Sequence, residues 1–240
     1  MAGCGGAAGE PTGTEPTPVE QGGGEITVLA AASLQEVFEE MAPEFTAETG
    51  TEVTFSFAGS STLVTQLSEG SPGDVLATAN EKTMDQAVTD GTVAEPALFA
   101  TNTLTLAVAP GNPKNITGLA DLANPDLLFV RCASAVPCGT ASDTVLEGQP
   151  NTPVSEENSV TDVLGKVSSG QADVGLVYTT DVTRSDGATE AVDFPESAEA
   201  VNSYPIATTA EAAPEGQAFV DFVTGEQGQQ LLAEAGFGAP

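Results

Sequence analysis

The chain predicts an α/β fold with largely parallel sheets. Short apolar runs of strand length alternate with stretches whose apolar residues recur at helical spacing. A serine, or a cysteine followed by glycine, stands where several of these runs give way to a helix: Ser33, Ser60, Cys138-Gly139 and Ser159-Val160. No internal repeat interrupts the pattern. At 240 residues the chain suffices for one large domain or two small lobes.

The elements follow in order. Ile26 to Ala31 reads as a buried strand, and Leu34, Val37, Phe38, Met41 and Phe45 carry the helical face after it. Ser33 and Glu36 match a capping box, which sets the helix start at Ser33. Pro43 should kink or restart that helix, and Gly50 should end it. Val53, Phe55 and Phe57 alternate as a second strand; Ser60 or Ser61 caps a helix ending at Gly70. Asp74 to Ala77 reads as a strand, 81–90 as a helix, Leu104 to Ala109 and Leu127 to Val130 as strands. Helices are expected near 139–147 and 160–169, and a strand from Val174 to Tyr178. A strand near Ile206 and a helix over about 214–233 close the chain.

Composition narrows the function. Apolar residues make up 40% of the chain, enough for a core; with no Trp, 10 Phe and 2 Tyr, that core is expected from Ala, Val and Leu. The formal net charge is −30, from 35 acidic and 5 basic residues. Lys82, Lys114, Arg131, Lys166 and Arg184 are scattered, so no basic patch forms and nucleic acid is excluded as a partner. Anionic lipid headgroups are disfavoured for the same reason, and the acidic residues read as a solvated surface. The chain has no histidine, which removes a Ser-His-Asp triad. No run approaches the length of a membrane-spanning helix.

The start of the chain points to export. Met-Ala-Gly-Cys resembles the last four positions of a bacterial lipoprotein signal, with Cys4 as the lipidated residue. The charged and apolar segments that ordinarily precede it are missing, which reads as a trimmed start. Residues 5–24 hold Gly, Pro, Thr and Glu with almost no apolar side chains and read as a tether. Cys132 and Cys138 cannot complete a zinc site of the usual kind without histidine; in an exported protein they read as a disulfide. Closing so short a loop stabilises by about 2 kcal/mol, so its expected use is to hold residues 133–139 in one shape.

Four segments then carry a resemblance. They are Ile-Thr-Val-Leu-Ala-Ala-Ala-Ser-Leu at 26–34, Ser-Phe-Ala-Gly-Ser-Ser-Thr-Leu at 56–63, Ser-Pro-Gly-Asp-Val at 71–75 and Ala-Asp-Val-Gly-Leu-Val-Tyr at 172–178. Their order and spacing, with Tyr204-Pro205-Ile206-Ala207 and the terminal Glu-Gln-Gly-Gln-Gln-Leu-Leu segment, resemble the molybdate-binding periplasmic proteins of ABC importers. The resemblance implies the two-lobed class II periplasmic-binding-protein fold, with mixed, mainly parallel sheets, a hinge, and the ligand in the cleft. After an N-terminal segment over 1–24, it places one lobe at 25–104 plus 182–240 and the other at 105–181. Matched one at a time, Ser33 and Ser60 offer hydroxyl and backbone N–H, Cys138 and Val160 offer backbone N–H, and Tyr178 offers its hydroxyl. Ser61 replaces Ser60 if the turn is shifted by one residue. The Cys132–Cys138 pair departs from the best-known members of the family.

The implied ligand is molybdate or tungstate, held as an oxyanion with no direct protein ligand to the metal, and no cofactor is expected. The implied partner is an ABC transporter permease; a monomer is expected, touching the membrane only through its lipid anchor. Taken singly, each feature has a plainer meaning. A serine opening a helix is ordinarily its cap, a tyrosine at a strand end is ordinarily a core edge, and Asp74 and Asp173 read as caps or turns.

A chain so acidic can still hold a dianion. At about 20 Å, 30 net charges repel it by about 12 kcal/mol in unscreened water, and by about 1 kcal/mol with a Debye length of about 8 Å. Several hydrogen bonds to a charged acceptor, at about 1.5–3 kcal/mol each, outweigh that. Other readings are the same fold binding sulfate, phosphate or a small organic acid; a secreted hydrolase built on a carboxylate pair, disfavoured by the absence of Trp and scarcity of Tyr; and a structural surface protein.

Overall fold

The computed structural model describes residues 1, 3 and 23–240. Cys4 and nearly all of the expected tether lie outside the described residues.

Two five-stranded sheets form, each with helices against it. In the first, β1 (Glu25–Ala31) lies between β2 (Glu52–Ala58) and β3 (Val75–Ala77), all parallel; β10 (Asn202–Thr208) and β4 (Ala97–Asn102) complete the order β2-β1-β3-β10-β4. β10 runs antiparallel to both β3 and β4. In the second, β7 (Ser155–Glu157), β6 (Phe129–Cys132) and β8 (Val174–Tyr178) are parallel, and β5 (Leu104–Val108) and β9 (Glu190–Val192) complete β7-β6-β8-β5-β9. β5 is antiparallel to β8 and to β9. The helices are α1 (Gln35–Thr49), α2 (Ser60–Ser68), α3 (Glu81–Thr89), α4 (Pro137–Val145), α5 (Val160–Ser168), α6 (Thr179–Thr183), α7 (Pro214–Thr224) and α8 (Glu226–Glu234). Among the described residues no helix is long and apolar enough to cross a membrane.

The chain passes between the sheets twice. Thr103 separates β4 from β5, and the stretch after β9 leads back to β10. The first passage is pinned: Asn102 Nδ2 donates to Thr180 Oγ1 over 2.8 Å, and Thr179 N–H donates to the Thr103 carbonyl over 2.9 Å. The expected return to the first half at residue 182 comes later. β9 pairs with β5, and Val182, Phe194 and Ala200 pack in the second core, so that half continues to about residue 200.

The two cores differ in composition. The second is the expected mixture of Val, Leu and Ala, with Phe129 and Phe194. The first is centred on phenylalanine: Phe219 meets Phe38 and Phe45 edge-on, with centroids 5.6 and 5.2 Å apart. Aromatic pairs of this kind contribute about 0.5–1.5 kcal/mol beyond their buried area. The expectation of a core without a large aromatic share therefore fails for this half, because most of the few Phe residues fall in it.

Local features also depart from expectation. α1 begins at Gln35 after a 3-10 turn over Ala32–Leu34, and Ser33 makes no capping hydrogen bond. Pro43 lies inside α1, which runs on past it as one helix, so the expected restart does not occur. Gly50 does end the helix, at φ 77°, a conformation that favours glycine. The closing helix is two, split at Gly225. Asp74 accepts from the N–H groups of Thr27 and Ala213, each at 2.8 Å, and Asp173 from that of Leu128 at 3.0 Å, both structural as expected.

Candidate functional site: a cavity between the two sheets

The carboxyl ends of the parallel strands converge on one cavity. Its lining combines Ala31, Ala32, Ser33, Ala58, Gly59, Ser60 and Ala79 from the first half with Val136, Pro137, Cys138, Ser159, Val160 and Tyr178 from the second. All five residues singled out in the sequence, Ser33, Ser60, Cys138, Val160 and Tyr178, line it. Ser61 does not; its Oγ donates instead to the Ala135 carbonyl over 2.6 Å, joining the two halves.

The local structure explains what each group offers. An α-helix leaves its first N–H groups without an intrahelical acceptor. α2 and α4 begin here, after Gly59 and Val136, with no side-chain cap on either. α5 begins after Ser159, whose Oγ accepts from the N–H of Asp162, leaving Val160 as the first helical residue. Three helix starts thus aim positive partial charge at one hollow. The disulfide between Cys132 and Cys138, Cα atoms 5.6 Å apart, ties the end of β6 to the first turn of α4.

The hydroxyls are set by distant partners. Ala79 N–H donates to Ser60 Oγ over 3.0 Å, so the serine's hydrogen remains to be donated elsewhere. Ser33 Oγ lies 3.1 Å from the Tyr204 hydroxyl. The Tyr178 hydroxyl is buried and has no hydrogen-bond partner among the described residues. Burial, reinforced by Tyr204 and the Asp181 charge, pushes the Tyr178 phenol well above its ordinary pKa, so it stays a donor. Tyr204 is pushed up by burial as well.

Among the described residues, no Lys, Arg, Asp or Glu lines the cavity. A hollow with neutral donors and no carboxylate suits an oxyanion that has lost its protons. The hollow is partly open and offers about 20 Å³. That exceeds the roughly 10–15 Å³ one water needs and falls far below the about 300–1,000 Å³ of a drug-sized site. A small inorganic ion suits it better than an organic acid. A larger hollow of about 460 Å³ lies elsewhere, beside Thr27, Asp74 and Glu211 at the amino ends of strands, away from the helix starts; its acidic edge does not suit an anion.

Sequence reasoning missed three residues around the site. Tyr204 supports Ser33 from 171 positions away. Asp181 accepts from the N–H of Tyr178 over 2.9 Å, and Arg184 donates to the Ser33 carbonyl over 2.9 Å. Only the Tyr-Pro-Ile-Ala segment gave any signal for Tyr204, and no local pattern marks the other two.

Comparison with known proteins agrees with this geometry. The sequence pattern of the family described as bacterial extracellular solute-binding protein matches residues 26–238. The molybdate-binding protein ModA of Mycobacterium tuberculosis is 44% identical over 233 residues, covering 95% of this chain and 89% of that protein. The ModA protein of Escherichia coli is 30% identical, covering 89% of each. Among solved structures, the Azotobacter vinelandii periplasmic molybdate-binding protein superposes with a TM-score of 0.74 at 21% identity, over 90% of this chain and 99% of that one. These relatives are named as binding proteins, not enzymes. By sequence and by fold, the chain belongs to the bacterial extracellular solute-binding protein family, as a relative of the ModA proteins.

Proposed function

We propose that this protein captures molybdate or tungstate outside the cytoplasmic membrane and delivers it to an ABC transporter permease. In this reading the two halves are lobes, and the anion sits between them on Ser33, Ser60 and Tyr178 hydroxyls and the backbone N–H groups of Ser33, Ser60, Cys138 and Val160. A lipid on Cys4 and the glycine-rich segment after it hold the protein at the membrane. It works as a monomer and needs no cofactor.

The observation that carries this reading is the Tyr178 hydroxyl. It is buried in a cavity without charged side chains and has no partner among the described residues. An unmade buried hydrogen bond costs about 1–3 kcal/mol, which an oxyanion in the cavity would recover. Selectivity against phosphate then follows from protonation. Phosphate carries a proton near neutral pH, and a site of donors leaves that proton unpaired.

A second reading keeps the site and changes the ion to sulfate; the small size of the hollow favours it. Calorimetric titration with molybdate, tungstate, sulfate and phosphate separates the two. Tight binding of the first two alone supports the proposal. Tight binding of sulfate alone replaces it, and heat from none of them removes both.

A further inference from the structure

Among the described residues, two buried side-chain polar atoms have no hydrogen-bond partner: the Tyr178 hydroxyl and Arg184 Nη1. The cavity accounts for the first. Arg184 follows α6 in the second half, and its side chain is only 13% exposed. Its Nε donates to the Thr180 carbonyl over 3.2 Å, within its own half. Its Nη2 donates to the Ser33 carbonyl over 2.9 Å, in the other. Nη2 also lies 3.7 Å from Asp181 Oδ1, and Nε lies 3.5 Å from Glu36 Oε2.

These contacts close a circuit around the cavity. Tyr178 N–H donates to Asp181 Oδ2; Asp181 faces Arg184; Arg184 holds Ser33; Ser33 Oγ meets Tyr204, whose ring packs on Tyr178 with centroids 6.0 Å apart. Ser33 and Tyr178, lining residues from opposite halves, are thereby linked through the Asp181–Arg184 pair. The half-exposed Glu36 adds little. The guanidinium bond to the Ser33 carbonyl is charge-assisted and nearly buried, so it is the strong member. It exists only while the two halves hold this relative placement.

We propose that Arg184 is a positioning residue that latches the closed cleft, holding Ser33 against Tyr178 so that a bound oxyanion leaves only after the latch opens. This rests on the oxyanion reading above. The latch forms after encounter, so its loss should appear in release rather than capture.

Both tyrosines of the chain, Tyr178 and Tyr204, belong to the circuit, so tyrosine emission reports on the site directly. The test follows that emission by stopped flow for the parent, Arg184→Met and Arg184→Lys, mixing each with molybdate, and by melting each without ligand. Arg184→Met should release molybdate about tenfold faster or more with association nearly unchanged. Arg184→Lys should fall between the two, and the ligand-free melting temperature should stay close to the parent's. Parental release by Arg184→Met overturns the latch while leaving the proposed function standing. Faster release accompanied by a large loss of ligand-free stability also overturns it, since Arg184 would then be a structural residue. A parent that does not respond to molybdate overturns the function as proposed, and the latch that rests on it.

Discussion

The N–H of Ala79 donates to Ser60 Oγ over 3.0 Å, binding the end of the β3 segment to the first residue of α2. The bond holds the hydroxyl in place by one of its lone pairs and leaves its hydrogen free to be donated toward the cavity. Replacing Ser60 by Ala removes that donor and leaves the Ala79 N–H buried without an acceptor. Affinity for molybdate should fall by about 1–3 kcal/mol, roughly fivefold to 150-fold. Ser33→Ala should weaken binding by a similar amount. Titration calorimetry on both variants measures this; two variants binding like the parent would remove the serines from the site.

Tyr178→Phe separates function from stability. The hydroxyl makes no hydrogen bond among the described residues, so deleting it takes away no partner in the ligand-free protein. Thermal melting without ligand should show unchanged or slightly raised stability, whereas affinity should drop about tenfold or more. Loss of stability with parental affinity would mean the hydroxyl serves the core.

At Gly59 the halves meet closely. A Cβ placed there would come within 2.1 Å of the Asn158 carbonyl oxygen, across the cleft. Closure therefore requires glycine at this position. Gly59→Ala should hold the halves apart, weaken oxyanion binding by at least an order of magnitude, and enlarge the ligand-bound radius of gyration in solution scattering. Parental affinity in this variant would mean that closure to the geometry seen here is not needed for binding.

Asp181 sets a pH dependence of stability. Burial pushes its carboxyl from 3.8 to about 7, against the opposing pull of the Arg184 charge and the Tyr178 N–H. The folded state thus holds a proton, over roughly pH 4 to 7, that the unfolded chain has released. This contribution to stability is complete below the ordinary carboxylate pKa and is lost as pH rises through about 7. Asp181→Asn cannot titrate, so relative to the parent it should gain stability as pH rises across that window. Denaturant melts of both proteins over the range give the difference; a difference that is flat or falls with pH contradicts the assignment.

Much of this was legible in the sequence, and the gaps have physical reasons. The long elements announce themselves because periodicity and glycine punctuation are local signals: β1, β2, β8 and the helix ended by Gly50 lie close to their expected bounds. β7 and β9, each of three residues, carry no such signal, being made by pairing with distant partners. The boundary near residue 182 was misplaced for that reason. The five lining residues were reached through motif order, and the structure brings them to one hollow. What surrounds them was not legible. Ser33 matches a capping box, yet its hydroxyl turns to Tyr204, and its carbonyl is taken by Arg184 from 151 positions away. A local pattern reads the serine and misses the partners that decide its job.

The central claim is that uncharged donors, and no cationic side chain, hold the anion in a strongly acidic protein. The dependence of molybdate affinity on ionic strength tests it most directly. Salt screens the repulsion between the dianion and the net charge of −30, so the account predicts that affinity rises from low to physiological ionic strength. A steep fall with added salt would show that cationic side chains bind the ion, and would contradict the account.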